Sequence, residues 1–318
     1  MLENKNFLDD NRILIFDFVR IAAIVMMLQG HAISSLALPN EISGGFWEIW
    51  HFLRKLTGPS FLFVSGAVHV FANKRDAFGR VPNVKLLKRL RMSLLLLFIG
   101  YILVMPASRL FYLQYIDYSS KTYFFQVNIL QLFSVCLLIL ILFFKITRTT
   151  LSFAYLSFIY SIIVFLIYNM TLNIDWYSFL PEYVAPYLTG SRGSYFPIFP
   201  WTAYFFFGAS FGALISKLSK EDRVYAIKRL GLLFGIILAS VGLALYHYYG
   251  KEVLMRLGFV FLILSAFSYF IDYFQGFAKN IQKFAKYSLF IYVLHILILY
   301  GSSWFSSVAR IYKNTLSV

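Results

Sequence analysis

Uncharged apolar runs close to twenty residues long recur along the whole sequence, and about 20 residues of helix are what it takes to cross about 30 Å of hydrocarbon. Residues 94–104 and 137–144 are apolar on every face. A transmembrane β-barrel would instead show alternating segments of about ten residues, so the barrel is rejected. With 60% of its 318 residues hydrophobic and 14% charged, the chain has too little polar surface to cover a water-soluble globule. The expected fold is all-α: a polytopic transmembrane helical bundle forming a single integral membrane domain over residues 1–318. About nine spans are predicted, with eight to ten compatible, at 13–36, 49–72, 90–110, 124–144, 150–170, 195–215, 230–248, 254–274 and 287–307. Arg54, Lys55 and Pro59 interrupt the second, which is expected to begin as an interfacial or broken helix.

The net charge of +15 comes without a basic helix carrying interleaved stacking residues, so nucleic acid is not an expected partner. The charge reports topology instead. An N-terminus in the cytoplasm places most of the 29 Lys and Arg residues inside, as the positive-inside rule requires. The densest group is the loop NKRDAFGRVPNVKLLKRLR after the second span. It suits anionic lipid headgroups, or a cytoplasmic polyanion such as the phosphates of coenzyme A. Cys136 lies inside an apolar run, where packing explains it; a single thiol forms no disulfide within the chain. The first twelve residues are polar and mixed in sign, unlike a cleavable signal peptide, so the first span is expected to stay in the mature protein. The Lys-, Asn-, Ile- and Phe-rich composition suits a bacterial inner membrane. No GxGxxG, Walker, HExxH or CxxC pattern occurs, no internal repeat is visible, and no metal site is expected.

Asp17 and Arg20 fall inside the first apolar run, where an isolated Asp or Arg costs about 2.5–3.5 kcal/mol near the helix centre. Arg20 and His31 are three helical turns apart, on one face with Ile24 and Met27 between them and about 16 Å of rise separating them. Asp17 precedes Arg20 on the same face and can pair with it. The plainer alternative is an Arg that snorkels to the interface with Asp17 as counter-ion. His31 is either a structural hydrogen-bonder or a base, since imidazole titrates near pH 6.5 and can take a proton from an attacking hydroxyl or amine. Asp17 is too far along the helix to orient that ring, so any orienting partner must come from another span.

The stretch FDFVRIAAIVMMLQGHAISSL, an Arg and a His separated by ten residues, resembles the R-x10-H signature of the transmembrane acyltransferases. LTGPSFLFVSGAVHVFANKR resembles the second-helix P-x-F-x-F-x-x-G motif shared by the heparan-α-glucosaminide N-acetyltransferase-like and acyltransferase-3-type branches. KRLRMSLLLLFIGYIL, VNILQLFSVCLLIL, FPIFPWTAYFFFGASFGALI and FAKYSLFIYVLHILILYG are similar to later family segments in the same order. Together they cover roughly 13–300 and favour the heparan-α-glucosaminide N-acetyltransferase-like branch. The resemblance implies a bundle that takes an acyl group, usually acetyl, from cytoplasmic acyl-CoA and delivers it to a sugar, glycan or lipid-linked acceptor at the other face. It also implies a departure: the lysosomal enzyme has Asn where this chain has His31, and its catalytic His lies in the following loop, for which His51 is the nearest match.

On that basis His31, alone or with His51, is the expected base, by direct transfer or through an acyl-histidine. Arg20, Lys88, Arg89 and Arg91 are the expected phosphate-binding groups, with Asn128 and Gln131 as partners for the pantetheine amides of acetyl-CoA. Asp17, Pro59, Trp201 and His295 are expected to shape or orient the site. Each has a plain alternative. His51 can rest at headgroup level beside Trp47 and Trp50; His295, Asn128 and Gln131 can join helices; Pro200 and Trp201 can shape a kink. Gly58, Gly66, Gly208 and Gly212 permit close helix approach, the last two as a GxxxG pair. His69 and His247 receive no function. The aromatic loop 171–194 is either a lid or acceptor surface or a connector. Membrane lipids are expected neighbours, and a homodimer is among the arrangements allowed. From other classes, a secondary transporter or channel would use Asp17, Arg20 and His31 as a proton or ion relay, and a structural membrane protein would use them as scaffold. Transporters often carry inverted repeats and paired broken helices, which this chain does not show.

Overall fold

The computed structural model describes residues 13–38, 44–73, 75–105, 118–245, 250–301 and 306–312, and its regular elements are all helices. Lys5, Arg12, Lys74 and His247 lie outside the described residues. In chain order the helices are α1 (Leu14–Leu36), α2 (Gly45–Lys55), α3 (Thr57–Ala72), α4 (Asn83–Leu103), α5 (Tyr118–Phe125), α6 (Ile129–Ile146), α7 (Thr150–Thr171), α8 (Ile198–Ile215), α9 (Lys220–Ala244), α10 (Lys251–Phe270), α11 (Ala278–Lys286), α12 (Ser288–Tyr300) and α13 (Val308–Tyr312).

Among the described residues six helices are long and apolar enough to cross a membrane: α1, α6, α7, α8, α9 and the run Lys251–Lys286 that contains α10. The count of nine is not reached on that criterion, for reasons visible in the sequence. The helix α3 has only 16 residues and α12 only 13, while α4 carries Lys85, Lys88, Arg89 and Arg91 in its first half. The expected break in the second span lies at Leu56, which separates α2 from α3. Two helices start well before their expected spans, α4 at Asn83 after Pro82, and α9 at Lys220. The cap Ser219 accepts a bond from the Asp222 backbone at 3.1 Å and carries α9 through charged turns that hydropathy alone assigns to a loop.

The outer surface is apolar where lipid would touch it: Leu94, Leu95, Phe98 and Ile102 on α4, and Ile159, Ile163 and Leu166 on α7 are all exposed. At the centre stands α8, which has no charged residue and is buried at nearly every position from Thr202 to Ile215. A helix apolar all round belongs in such a place. Its closest neighbour is α3, which runs parallel to it, Phe63 facing Gly208 and Ala67 facing Gly212. A Cβ at Gly66 would sit 1.9 Å from the Phe205 carbonyl oxygen, and one at Gly208 1.9 Å from that of Phe63, so only glycine permits this approach. The helices α9 and α10 form an antiparallel hairpin with small residues along its seam, Gly258 lying against Ala239 and Gly242 against Met255. Buried polar pairs fix the remaining neighbours: Ser93 with the Ser134 hydroxyl at 2.8 Å joins α4 to α6, and Tyr160 with Thr202 at 3.1 Å joins α7 to α8.

The two ends of the bundle differ. At one end the turns after α3, α6 and α8 meet, Arg75 donating to the Gly79 carbonyl at 2.7 Å and the Thr147 hydroxyl at 2.7 Å, and Arg223 to the Ser216 carbonyl at 3.1 Å. This is the basic end. At the other end the loop 171–194 is tied down by Glu182 to Thr122 at 3.0 Å, Tyr187 to Tyr101 at 2.9 Å, and the Ser194 hydroxyl to the Val127 amide at 3.0 Å. The amphipathic α11 packs on α1 through Ala278, Ile281 and Ala285 and leaves Lys279, Lys283 and Lys286 exposed.

Candidate active site

The stripe on α1 leads to two separate groups of side chains. Away from the basic end, His31 is half-buried and meets α12, whose thirteen residues run alongside α1. The ring of His295 stands edge-on to His31 with centroids 5.4 Å apart, and the Tyr300 hydroxyl lies 3.0 Å from His31 Nδ1. Ser35, one turn beyond His31, donates to the same hydroxyl oxygen at 3.0 Å. The partner of the His31 ring thus comes from another helix, α12, and it is a phenol. His295 Nδ1 lies 3.3 Å from the Ile291 carbonyl oxygen. A carbonyl only accepts, so Nδ1 carries that proton, and Nε2 is left with its lone pair, buried and without a hydrogen-bond partner.

Arg54, from the end of α2, completes this group. Its guanidinium donates to the Ser34 hydroxyl and, at 3.5 Å, to the Gly30 carbonyl, and it covers the Trp50 ring at 5.5 Å. Gly30 leaves room for it, since a Cβ there would lie 2.8 Å from Arg54 Cδ. A base beside a fixed cation is an arrangement that can take a proton from a nucleophile and steady a developing oxyanion. His51 lies one helical turn before Lys55 and packs edge-on against Trp50 at 4.9 Å; the structure does not bring it into the His31–Tyr300 hydrogen-bond chain.

Toward the basic end, Asp17 is only 2% exposed and Arg20 is half-buried. His69 on α3 is half-buried with its Nε2 shut off from solvent, within electrostatic reach of both Arg20 and Arg89, and backed by Phe133 and Phe205 with centroids 5.9 Å away. Its Nε2 and the Nε of Arg89 are buried without hydrogen-bond partners. Buried donors and acceptors of this kind are uncommon in a finished core and fit a site that waits for an anionic group. Of the three cations expected to act together on α4, only Arg89 turns inward; Lys88 and Arg91 are exposed.

Asn128 and Gln131 form the capping box of α6: Asn128 Oδ1 accepts from the Leu130 amide at 2.9 Å, and Gln131 Oε1 from the Asn128 amide at 3.3 Å. Gln131 is fully buried against Gly100, its Nε2 without a partner. Trp201 seats its ring on Gly58, beside the buried Pro59, and against Phe196 at 4.6 Å, which locks the start of α8 to that of α3.

Sequence reasoning missed Arg54, Ser35, Tyr300 and His69. Arg54 looked like an interruption of a span, and Tyr300 and Ser35 drew no reading of their own. For His69 a signal was available, because it shares α3 with the P-x-F-x-F-x-x-G motif, three residues after Gly66. Among the described residues no group of three or more His, Cys, Asp or Glu side chains could hold a metal ion.

Residues 12–250 match the family model described as "Heparan-alpha-glucosaminide N-acetyltransferase, catalytic". No curated protein and no solved structure matches the chain.

Proposed function

Because the chain belongs to the heparan-alpha-glucosaminide N-acetyltransferase catalytic family, we propose that it is a membrane enzyme moving an acetyl group from acetyl-CoA to an amine or hydroxyl of a sugar-bearing acceptor. In this reading the basic end faces the cytoplasm, together with the N-terminus, and α3, α4 and α12 complete nine crossings. The meeting of the turns after α3, α6 and α8 at one end supports that alternation. The observation that carries the function is the pairing of His31 with Tyr300, on the same helix as Arg20 but at its other end.

Acetyl-CoA supplies a thioester whose C–S bond breaks as the acceptor nitrogen or oxygen bonds to the carbonyl carbon. His31 takes the acceptor's proton on Nε2 and returns it to the departing sulfur. Tyr300 accepts the Nδ1 proton of His31 and so fixes the tautomer that leaves Nε2 basic. Arg54 faces the developing oxyanion. Arg20, His69 and Arg89 hold phosphate of the donor, with Asp17 steadying Arg20, and Gln131 Nε2 offers a donor to an amide carbonyl of the pantetheine arm.

Detergent-purified protein incubated with acetyl-CoA and an amino-sugar acceptor should release free thiol, and His31→Ala should abolish the release while leaving acetyl-CoA binding intact. A wild-type protein that does not bind acetyl-CoA at all would end this reading.

A further inference from the structure

At the basic end a cavity of about 380 Å³ opens between the end of α3, the α6–α7 turn and the α8–α9 turn. Its polar lining is Asn73, Arg75, Thr150, Ser216, Lys217 and Arg223, three cations with no carboxylate among them. Like charges gathered around one space repel, so an empty site of this composition costs energy that an anion would recover. The positive-inside rule accounts for cations at this end of the bundle but not for their convergence on a cavity.

Two of the cations are held in position. Arg75 is anchored by the Gly79 carbonyl and the Thr147 hydroxyl, each at 2.7 Å, with its guanidinium over the Phe144 ring. Arg223 is anchored by the Ser216 carbonyl at 3.1 Å and rests over Phe71 at 5.3 Å, yet its Nε is buried and donates to nothing. Lys217 stands exposed at the rim as a third charge. Two planar forks on aromatic rings plus an ammonium suit a tetrahedral dianion better than a planar carboxylate. The site is separate from the Arg20–His69–Arg89 group, although α3 touches both: the Asn73 amide donates to the His69 carbonyl at 2.6 Å.

We propose that this cavity binds a phosphate group, carried either by an anionic membrane lipid or by a soluble phosphomonoester, at a site independent of the acyl donor. Arg75, Lys217 and Arg223 neutralise the charge, Thr150 offers a hydroxyl, and the volume leaves room for the first atoms of whatever bears the phosphate. The inference does not depend on the acetyltransferase reading.

The test uses the full chain in nanodiscs of phosphatidylcholine. Thermal unfolding is followed while inorganic phosphate is titrated against chloride at matched ionic strength, and separately in discs containing phosphatidylglycerol. Wild type should gain stability from at least one of the two, and Lys217→Glu and Arg223→Gln should raise the half-saturating concentration about tenfold or more, the loss expected for one charge-assisted contact. A response to phosphate alone identifies a soluble source; a response to phosphatidylglycerol alone identifies lipid. If Arg223→Gln fails to fold, Lys217→Glu, an exposed side chain, still decides the matter. No stabilisation of wild type by either probe, or an unchanged response in Lys217→Glu, overturns the proposal. Acetyl-CoA binding measured on the same samples keeps that outcome distinct from any failure of the donor site.

Discussion

The Nδ1 atom of His31 lies 3.0 Å from the phenol oxygen of Tyr300, which already accepts a bond from Ser35 at 3.0 Å. In the proposed mechanism the phenol oxygen accepts from His31 as well, its own O–H turned away from the ring, so that the proton stays on Nδ1 and the lone pair on Nε2. Tyr300→Phe removes the acceptor but not the ring, whose edge-on contact with His31 at 5.7 Å should survive. The expected result is a fall in kcat of about 10- to 100-fold, typical of losing a group that orients a functional histidine, with KM for acetyl-CoA unchanged. Steady-state kinetics decide it; an equal rise in KM would mean that Tyr300 acts on binding instead.

Arg89 and Arg91 lie two residues apart on α4, and a helix sends them in different directions: Arg89 inward, its Nε buried, Arg91 outward and exposed. Arg89→Gln should weaken acetyl-CoA binding about 10- to 100-fold, as expected for a buried charge-assisted contact worth about 1.5–3 kcal/mol. Arg91→Gln should change it less than about twofold. Calorimetric titration of both variants, with coenzyme A as a second ligand, separates the two positions. Equal effects would show that the phosphate contact is a diffuse surface attraction.

The α1 stripe is legible in the amino-acid sequence because charge in an apolar run is rare and a helix repeats every 3.6 residues. Asp17, Arg20 and His31 therefore stand out as residues, and the glycines of α3 and α8 as contact points. What the sequence lacks is the third dimension. That α12 lies beside α1, so that Tyr300 reaches His31, depends on tertiary packing to which hydropathy is blind. Arg54 misleads for the same reason: a cation at the break between α2 and α3 looks like a defect until Ser34 and Gly30 are found opposite it. Asn128 and Gln131 show the converse, since the spacing that suggests a shared face also makes a capping box. Span boundaries shift where caps such as Ser219 start a helix before its apolar part begins.

His69 is half-buried, and its Nε2 is shut off from solvent without a hydrogen-bond partner. An unsatisfied buried polar group costs about 1–3 kcal/mol, so His69→Leu should not destabilise the free protein and is expected to raise its unfolding temperature slightly. A side chain retained despite such a cost is characteristic of a binding site, and the same variant should lose most of the stabilisation that acetyl-CoA gives to wild type. Thermal unfolding with and without acetyl-CoA reads both effects in one experiment. A variant that is less stable alone, yet equally stabilised by the ligand, would assign His69 to the core.

Gly66 and Gly208 set the distance between α3, which carries His69, and its parallel neighbour α8. The carbonyl oxygen that a new Cβ would meet belongs to main chain in each case, at 1.9 Å, and main chain inside a helix cannot turn aside as a flexible side chain does. Gly66→Ala should therefore push the helices apart rather than be absorbed, with a loss of about 3 kcal/mol or more, at the severe end of single substitutions. Displacement of α3 would also shift His69 and loosen the Gly58 seat of Trp201, so donor binding should fall with stability. Gly276 provides the control, because a Cβ there meets nothing within 4 Å, and Gly276→Ala should leave the unfolding temperature within about a degree of wild type. If Gly66→Ala proves as stable as Gly276→Ala, α3 and α8 do not pack backbone to backbone at these glycines.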